Sequence, residues 1–383
     1  MQKKNRSAYL PNLDGLRFIG ALFIILFHIE GIKKKVGLPI IHSFFYFHSL
    51  GNLDVTLFFV LSGFIITYLL LKEKESSNTI NLKNFYIRRI LKIWPLYFFI
   101  VFIGLIVLPH FDIYFYNDYS NCVSPYFFPN FISCLFFIPP FMHGLPLTIG
   151  ATWSVRVEEF FYLFWPIFLK KKKNFLKVCL WIILGLIILR NGCVFLIHIQ
   201  NHYHIKSSQL KYILTTLRIL LIQYRISAMA IGGIGAYLVI FDKQKILSFI
   251  YKKEIQWALY IITFVLMLTK IRIPYIHWEF YSILFAIIIV NLATNPHSIL
   301  KLDYPWMNYL GKISYGLYLY NPIMRIFCLE LVEHFYRETI YGWQMNFWYY
   351  FLTIFSTIAI SSLSYHLMEK PFLNLKKYFV SIK

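Results

Sequence analysis

Long apolar stretches separated by short polar segments make up most of this chain. Ten of them approach the roughly 20 residues that an α-helix needs to cross a hydrocarbon core. They fall at residues 15–31, 53–71, 90–109, 152–169, 175–199, 213–240, 255–273, 279–296, 313–335 and 345–368. A further stretch, 131–142, is shorter and is broken by Pro139 and Pro140, which favours a re-entrant or interfacial segment. We predict an all-α polytopic membrane protein with about ten transmembrane helices and this one short segment.

The composition supports that prediction. The 383 residues are 58% hydrophobic and 14% charged, whereas a soluble globular chain is about 45–50% apolar and about 25% charged. No internal repeat, low-complexity linker or soluble domain interrupts the pattern, so residues 1–383 are predicted to form a single membrane-embedded domain. The net charge of +21 is not accompanied by a basic groove interleaved with exposed aromatic residues, which argues against nucleic-acid binding.

Lysine and arginine are distributed unequally between the two sets of loops that ten spans would create. Most of them lie on the side of the N-terminus, including the run Lys170–Lys173. Cytoplasmic loops of membrane proteins carry such an excess. We therefore expect a multi-pass protein of the plasma (inner) membrane with both termini in the cytoplasm.

The cysteines and clustered histidines suggest neither a disulfide framework nor a metal centre. The five cysteines include no C-x-x-C pair; Cys122 and Cys134 could pair in an oxidising compartment, but unpaired apolar residues are favoured. His198, His202 and His204 have no carboxylate or cysteine beside them, so we predict interfacial histidines and no metal site.

The first apolar stretch contains Arg17 and His28, although a charge at the centre of a membrane helix costs roughly 2.5–3.5 kcal/mol. Their separation amounts to about 20° past three full turns, so both side chains lie on one face, roughly 16 Å apart along the axis. Alone, Arg17 could be an interfacial anchor and His28 a buried histidine. Together they favour a shared polar channel in which His28 acts as a general base. Glu30 is expected to be solvated at the outer boundary.

A second charged segment, ATWSVRVEEFFYLFWP at Ala151–Pro166, begins a predicted helix from the outer side. Glu158 and Tyr162 share a face of that helix because they are four residues apart. The helix dipole favours carboxylates near a helix N-terminus and accounts for one acid. We expect Glu158 to face His28 and to orient its imidazole, as a third group orients the base in catalytic triads.

A basic helix start, NFYIRRILKIWPLYFF at Asn84–Phe99, contains Arg88, Arg89 and Lys92. Arg89 and Lys92 share a helix face because they are three residues apart. Ordinary anchoring at the cytoplasmic side is one interpretation of these cations. The functional interpretation is a clamp for a phosphate-bearing cytoplasmic ligand.

Small residues within predicted helices indicate close helix packing. Ser62 and Gly63 lie mid-helix, where packing is favoured over a catalytic serine because no nucleophile elbow can form there. The run GGIGA at Gly232–Ala236 is interpreted as a packing face, since no strand precedes it. Arg225, shortly before that run, is predicted to be buried in the polar interior.

These motifs, in this order, resemble the acyltransferase-3 family of integral-membrane O-acyltransferases. YLPNLDGLRFIGALFIILFH resembles its first helix, which is marked by an arginine, ten residues and then a histidine, here Arg17 and His28. LDVTLFFVLSGFIITYLL, FYIRRILKIWPLYF, LGKISYGLYLYNP and SYHLMEKPF resemble four further helices. The family's Trp-Ser-x-x-x-Glu-x-x-Phe-Tyr motif is matched by Trp153, Ser154, Glu158, Phe161 and Tyr162.

The resemblance implies transfer of an acyl group, usually acetyl from cytoplasmic acetyl-coenzyme A, to a hydroxyl of a glycan or related cell-surface acceptor. It implies that His28 is the catalytic base and that the arginines contact the coenzyme, which is a donor substrate; no tightly bound cofactor is expected. Lys92 stands where arginine is usual, and Asn321 stands where histidine is common. Because asparagine cannot take a proton, we assign no proton transfer to Asn321.

The sequence therefore predicts a membrane O-acyltransferase whose partners are acyl-coenzyme A, a glycan or lipid-linked saccharide, and the lipid bilayer. His28 and Glu158 are the predicted catalytic residues. The predicted coenzyme-binding residues are Arg17, Arg89 and Lys92, and the predicted substrate-binding or supporting residues are Trp153, Ser154, Tyr162, Arg225, Ser62 and Asn321. The alternative is a transporter or flippase of a lipid-linked or anionic molecule, since charges inside a membrane also mark transport paths.

Overall fold

The computed structural model describes residues 10–38, 40, 48–111, 127–138, 146–171, 174–203, 208–269, 271–336 and 343–379. All regular secondary structure within these ranges is helical, as the apolar pattern predicts.

The first part of the chain forms long helices joined by short connections. Their bounds are α1 Leu13–Lys35, α2 His48–Ser77, α3 Leu82–Phe102, α4 Phe127–Leu135, α5 Thr152–Lys171, α6 Phe175–His202, α7 Ser208–Tyr224 and α8 Ile226–Ile240. Helix α3 continues into a π-helical turn, Ile103–Val107, and a 3₁₀ turn, Leu108–His110. At its start the side chain of Asn81 accepts a hydrogen bond from the backbone N–H of Asn84 at 3.1 Å, which satisfies one of the free donors of the first turn.

The second part of the chain continues the bundle. Its helices are α9 Gln244–Ile250, α10 Lys253–Thr269, α11 His277–Thr294, α12 Pro305–Lys312, α13 Ser314–Tyr336 and α14 Trp343–Ser364. A π-helical turn at Tyr365–Glu369 leads into α15, Lys370–Leu375, and a final 3₁₀ turn, Lys376–Phe379. We call Lys370–Phe379 the C-terminal segment.

Seven helical segments of the described ranges are long and apolar enough to cross a membrane. They are Leu13–Lys35, Leu53–Ser77, Leu82–His110, Phe175–His202, Gln209–Ile240, His277–Thr294 and Trp343–Phe379. Such a set of apolar helices is that of a multi-pass membrane protein. Helices α5, α10 and α13 lie where three further spans are predicted, but α10 has only 17 residues, and α5 and α13 carry several charges. The number of ten spans therefore stays a prediction.

The short stretch predicted to be re-entrant or interfacial begins in helix α4. At about 1.5 Å per residue, this nine-residue helix is much shorter than the roughly 30 Å of a hydrocarbon core. Its end is fixed to α5 by the fully buried Arg156, which donates to Ser133 Oγ at 2.9 Å and to the Ile138 carbonyl at 2.7 Å. Cys134 on this helix is unpaired, while Cys122 and residues 139–142 lie outside the described residues.

Helices α2 and α8 pack together at the centre of the bundle through glycines. A Cβ atom at Gly63 would lie 2.0 Å from the Met229 carbonyl oxygen, and one at Gly232 would lie 2.0 Å from that of Val60. Only a glycine lets the two backbones approach this closely, which confirms the packing interpretation of both positions.

Helices α7 and α8 are separated by an interruption of the helix at Arg225. This residue has a left-handed conformation, with a φ of 36°, which is uncommon for a residue other than glycine. Its guanidinium is held on two sides: Nη1 donates to Thr56 Oγ1 at 2.9 Å, and its central carbon lies 3.7 Å from the centre of the Trp278 ring. Arg225 is buried, as predicted, and these contacts fix the break against α2 and α11.

A buried ion pair joins α6 to α11 near this break. Arg190 donates from Nη1 to Glu279 Oε1 at 3.0 Å and from Nη2 to Glu279 Oε2 at 2.9 Å. Ser227 also donates to Glu279 Oε1, at 2.9 Å. Because the pair is bidentate and further hydrogen-bonded, both charges are compensated within the protein.

The prediction that Glu30 is solvated is wrong. Its side chain is only 7% exposed, and its Oε1 atom accepts from Lys33 Nζ at 2.5 Å and from the Tyr350 hydroxyl at 2.6 Å. Lys33 is buried as well. The end of α1 is therefore tied to α14 by polar contacts instead of facing solvent.

Candidate active site

A cavity of about 280 Å³ lies where α1, α2, α3, α5, α12, α13 and the C-terminal segment meet. Its wall combines apolar side chains, most of them from α2, with at least one charged or hydroxyl group from each of these elements. A concave space with a few convergent polar groups is the usual form of a small-molecule site.

Five basic side chains line this cavity, and we call them the cation cluster. They are Arg17, Arg89, Lys92, Lys312 and Lys376. Two carboxylates, Asp14 and Glu158, also line the cavity, and Asp14 is paired with Arg17 at 3.1 Å. The cavity wall thus carries more positive than negative charge.

The adjacent residues Arg88 and Arg89 have different surroundings. Arg88 donates to the Phe379 carbonyl at 2.6 Å and to Glu73 Oε2 at 3.2 Å, so its charge is paired inside the protein. Arg89 points into the cavity, and among the described residues it forms no ion pair and its Nε atom has no hydrogen-bond partner. Its guanidinium instead lies 5.7 Å from the centre of the Tyr162 ring, within the range of a cation–π contact.

Lys92 and Lys376 extend the same cluster. Each lies within electrostatic range of Arg17 and Arg89, and they are close to one another. Within the described part of the chain neither lysine forms an ion pair. Asp14 and Glu369 offset part of the repulsion on Lys92, and a bound anion would stabilise the remaining like charges.

Next to the cation cluster lies a hydrogen-bonded set that we call the Glu158 group. Ser62 donates to Glu158 Oε1 at 2.9 Å, and the Tyr162 hydroxyl donates to Glu158 Oε2 at 2.8 Å. Tyr162 lies four residues after Glu158 on α5, which places both on the face that meets α2. Through the Tyr162 ring, this group is continuous with Arg89.

A further hydroxyl pair lines the wall beside this group. The hydroxyls of Ser154 and Tyr318 lie 2.7 Å apart and join the start of α5 to α13. Trp153, the neighbouring residue, does not line the cavity; its ring packs edge-on against Phe59, with centroids 6.1 Å apart. Trp153 thus supports the wall from behind.

Most residues predicted from the sequence to form the site meet in this cavity. The predicted residues on its wall are Arg17, Ser62, Arg89, Lys92, Ser154, Glu158 and Tyr162. Four others, His28, Trp153, Arg225 and Asn321, are not on the wall.

His28 lies further along α1 than the cavity reaches. Its backbone carbonyl accepts from Arg325 Nη1 at 3.3 Å, and its imidazole interacts with the side chain of Asn321. The His28 Nδ1 atom is buried, and in the described structure it has no hydrogen-bond partner of good geometry. The contact expected between Glu158 and His28 is not formed among the described residues: Glu158 lines the cavity and accepts from Ser62 and Tyr162, whereas His28 lies off the cavity wall beside Asn321.

The structure adds residues that sequence reasoning did not single out. Lys312 and Lys376 join the cation cluster, and Tyr315 and Tyr318 join the wall. The tyrosines lie in LGKISYGLYLYNP, a segment noted only for its family resemblance. The two lysines look like ordinary basic residues beside apolar helices, so no local signal distinguishes them.

The fold and the cavity together define a class: a helical multi-pass membrane protein with a concave, cation-rich candidate site for a small molecule. The chain belongs to the acyltransferase-3 family, since that family's model, described as an acyltransferase domain, matches residues 10–366.

Curated relatives support the family assignment. The peptidoglycan O-acetyltransferase OatA of Listeria monocytogenes is 26% identical over 95% of this chain and 56% of its own length. A Staphylococcus aureus protein named "Putative O-acetyltransferase" is 26% identical over 97% of this chain and 58% of its own length. A Bacillus subtilis protein named "Putative peptidoglycan O-acetyltransferase YrhL" is 23% identical, over 96% of this chain and 56% of its own length. The chain thus spans a little over half the length of these relatives. No solved structure matches it significantly.

Proposed function

We propose that this protein is an O-acetyltransferase that moves an acetyl group from acetyl-coenzyme A to a hydroxyl of a cell-surface glycan. The observation that carries the proposal is the continuity, in one cavity, of the cation cluster with the Glu158 group. A phosphate-bearing donor requires basic side chains such as those of the cation cluster. Acyl transfer to a hydroxyl requires hydrogen-bonding groups such as those of the Glu158 group.

The cation cluster matches the chemistry of the donor. Coenzyme A carries a pyrophosphate and a separate phosphate at one end and a thioester at the other. Arginine and lysine are the usual phosphate partners, and Arg89 and Lys92 face the cavity without an ion pair to any described residue. With the phosphates at the cation cluster, the pantetheine arm would run along α1 past the Glu158 group.

The proposed reaction needs a base for the acceptor hydroxyl. We propose that His28 accepts the hydroxyl proton while the oxygen attacks the thioester carbonyl; the C–S bond then breaks, and His28 passes that proton to the departing sulfur, so coenzyme A leaves as the thiol. His28 lies on α1 beyond the cavity, which suits approach of the acceptor from the opposite end to the donor. Glu158 would act on the cavity side of the reacting carbonyl through Ser62 and Tyr162.

The proposed topology agrees with this division. Ten spans with both termini in the cytoplasm would open the cation cluster toward cytoplasmic acetyl-coenzyme A and place His28 nearer the outer face of the plasma membrane. The glycan acceptor is proposed from the names of two relatives, which specify peptidoglycan. We expect a reporter that is active only in the cytoplasm to be active when it is fused after Lys383. Activity of a reporter that works only outside the cytoplasmic membrane would contradict this orientation.

Acetyl transfer by the purified protein tests the function directly. Protein in detergent or liposomes is incubated with acetyl-labelled acetyl-coenzyme A and peptidoglycan fragments, and label in the glycan is measured. We expect transfer by the unaltered chain, and a loss of about 100-fold or more for His28→Ala, as is typical when a general base is removed. His198→Ala, at an exposed position, is the matched control and is expected to retain full activity.

Two outcomes would contradict the proposal. A transporter or flippase would bind an anionic molecule yet show neither acetyl transfer nor hydrolysis of acetyl-coenzyme A. Full transfer by His28→Ala would remove His28 from the proposed chemistry while leaving the donor site intact.

A further inference from the structure

The C-terminal segment forms part of the cavity wall, although it lies far in sequence from the other residues of the site. Leu373 and Lys376 face the cavity, whereas Lys377 and Tyr378 are exposed. The segment packs beside the start of α3, the helix that carries Arg89 and Lys92. It therefore covers the part of the cavity that contains the cation cluster.

Arg88 holds this segment in place. One end of its guanidinium donates to the Phe379 carbonyl at 2.6 Å, and the other donates to Glu73 Oε2 at 3.2 Å. Glu73 is itself fixed, because its Oε1 atom accepts from the backbone N–H of Asn81 at 2.9 Å. Arg88 thus links the C-terminal segment to the end of α2 and the start of α3.

Lys376 is positioned by these contacts against electrostatic repulsion. It is half-buried, and the charges that act on it most strongly are those of Arg89, Arg88 and Arg17, all of the same sign, with Lys92 also within electrostatic range. No carboxylate forms an ion pair with it in the described ranges. Without an attractive partner, a flexible lysine side chain is expected to extend toward solvent, as that of Lys377 does. The placement of Lys376 among other cations therefore indicates an anionic partner in the cavity.

We propose that the C-terminal segment is part of the donor site, with Lys376 contacting a phosphate of the donor and Arg88 acting as the positioning residue for that contact. This inference rests on the proposed function, since the anion it names is acetyl-coenzyme A. It adds to the donor site a segment and a phosphate-contacting residue that the motifs of the first half of the chain do not include.

The test compares two adjacent lysines in the purified full chain. Lys376→Gln is expected to raise the KM for acetyl-coenzyme A about tenfold and to leave kcat little changed, because one charge-assisted hydrogen bond to the donor is lost. Lys377→Gln, the matched control at an exposed position, is expected to leave both constants unchanged. Lys376→Arg keeps the charge and is expected to restore most of the affinity.

A donor without phosphates separates a contact to phosphate from a general disturbance of the site. Acetyl-S-pantetheine carries the same thioester arm, so its kcat/KM is expected to be equal for the unaltered chain and for Lys376→Gln. An equal loss with both donors would overturn the proposal, because Lys376 would then act on the fold or on the thioester end.

Arg88→Gln tests the positioning role. It is expected to raise the KM for acetyl-coenzyme A, by less than Lys376→Gln does, and to leave the kcat/KM for acetyl-S-pantetheine unchanged. In the Lys376→Gln background it is expected to add little, since both changes remove the same contact. Additive losses, or a loss with both donors, would contradict this role.

The same measurements distinguish this inference from the proposed function. Absence of coenzyme A binding and of acetyl transfer in the unaltered chain would defeat the proposed function. If the unaltered chain binds and transfers but Lys376→Gln behaves like Lys377→Gln, the function stands and the role of the C-terminal segment is refuted.

Discussion

Two charged regions of this bundle differ in how their charges are compensated. At the contact of α6 and α11, Arg190 and Glu279 satisfy each other in a bidentate pair. In the cavity, Arg89 and Lys92 lie among other cations and form no such pair in the described structure; Glu159 and Asp14 are within electrostatic range of Arg89 and Lys92, respectively, but not paired with them. Charges compensated inside a protein serve its structure, whereas charges held together without compensation indicate a ligand of opposite sign. The contrast assigns the first region to stability and the second to binding.

The largest expected effect is on stability, at the paired region. Glu279→Gln leaves Arg190 buried without a counter-charge and is expected to lower the free energy of unfolding by about 3–5 kcal/mol. Unfolding of the purified protein in detergent, followed by heat or denaturant, measures this loss. Replacing the pair by Arg190→Met together with Glu279→Leu is expected to recover most of the stability, since a buried pair often contributes little beyond its apolar equivalent. Equal stability of Glu279→Gln and the unaltered chain would abolish the contrast.

The cation cluster is expected to respond in the opposite way. Arg89→Gln should weaken coenzyme A binding by about 1.5–3 kcal/mol, because a hydrogen bond to a charged group is lost. The free energy of unfolding should stay the same or rise, since repulsion within the cluster decreases. Binding and unfolding are measured on the same preparation, with Arg218→Gln at an exposed position as the control. A loss of stability with unchanged binding would place Arg89 in the structural class.

The Glu158 group shares features of both regions, since its polar atoms are hydrogen-bonded to each other and it also faces the cavity. Ser62→Ala removes one donor to Glu158 and is expected to lower the free energy of unfolding by about 1 kcal/mol. The kcat for acetyl transfer should fall several-fold while the KM for acetyl-coenzyme A changes little, because Ser62 touches the carboxylate and not the cation cluster. Ser298→Ala, a buried serine outside the cavity, provides the control. A change confined to KM would move Ser62 into the donor-binding part of the site.

The smallest expected effect is that of salt, which should weaken binding at the cation cluster but leave the contribution of the buried pair to stability almost unchanged. Raising ionic strength from about 0.01 M to about 1 M shortens the screening length from about 30 Å to about 3 Å. Coenzyme A binding should weaken steadily, because salt screens the attraction between the cation cluster and the phosphates. The stability difference between the unaltered chain and Glu279→Gln should change little, since the Arg190–Glu279 pair is buried. Salt-independent binding would argue against phosphate recognition by the cluster.

The comparison also shows where sequence reasoning succeeds within the site. Helical spacing and the family resemblance predict that Arg17, Arg89 and Lys92 bind the coenzyme, and all three line one cavity. Helical spacing alone put Arg89 and Lys92 on one face. The same reasoning could not separate Arg89 from Arg88, because their difference depends on Phe379 and Glu73, which are remote in sequence.

The expected pairing of Glu158 with His28 shows a second limit. Each residue was placed correctly within its own helix, but whether they touch depends on the rotation of α5 and α1 and on the residues between them. Ser62 on α2 reaches Glu158 instead, and Asn321 on α13 lies beside His28. Helix periodicity specifies which residues share a face of one helix and carries no information on which helix that face meets.

By itself, the sequence determined the all-helical architecture, the positions of most long helices, the packing role of Gly63 and Gly232, and the family. Periodicity, apolar length and local motifs carry that information, because they depend on neighbours within a few turns. Only the tertiary structure decided which charges are paired, which face the cavity, and that Lys376 joins residues from the other end of the chain. Pairing and burial depend on contacts between distant segments, and these arise only when the helices pack.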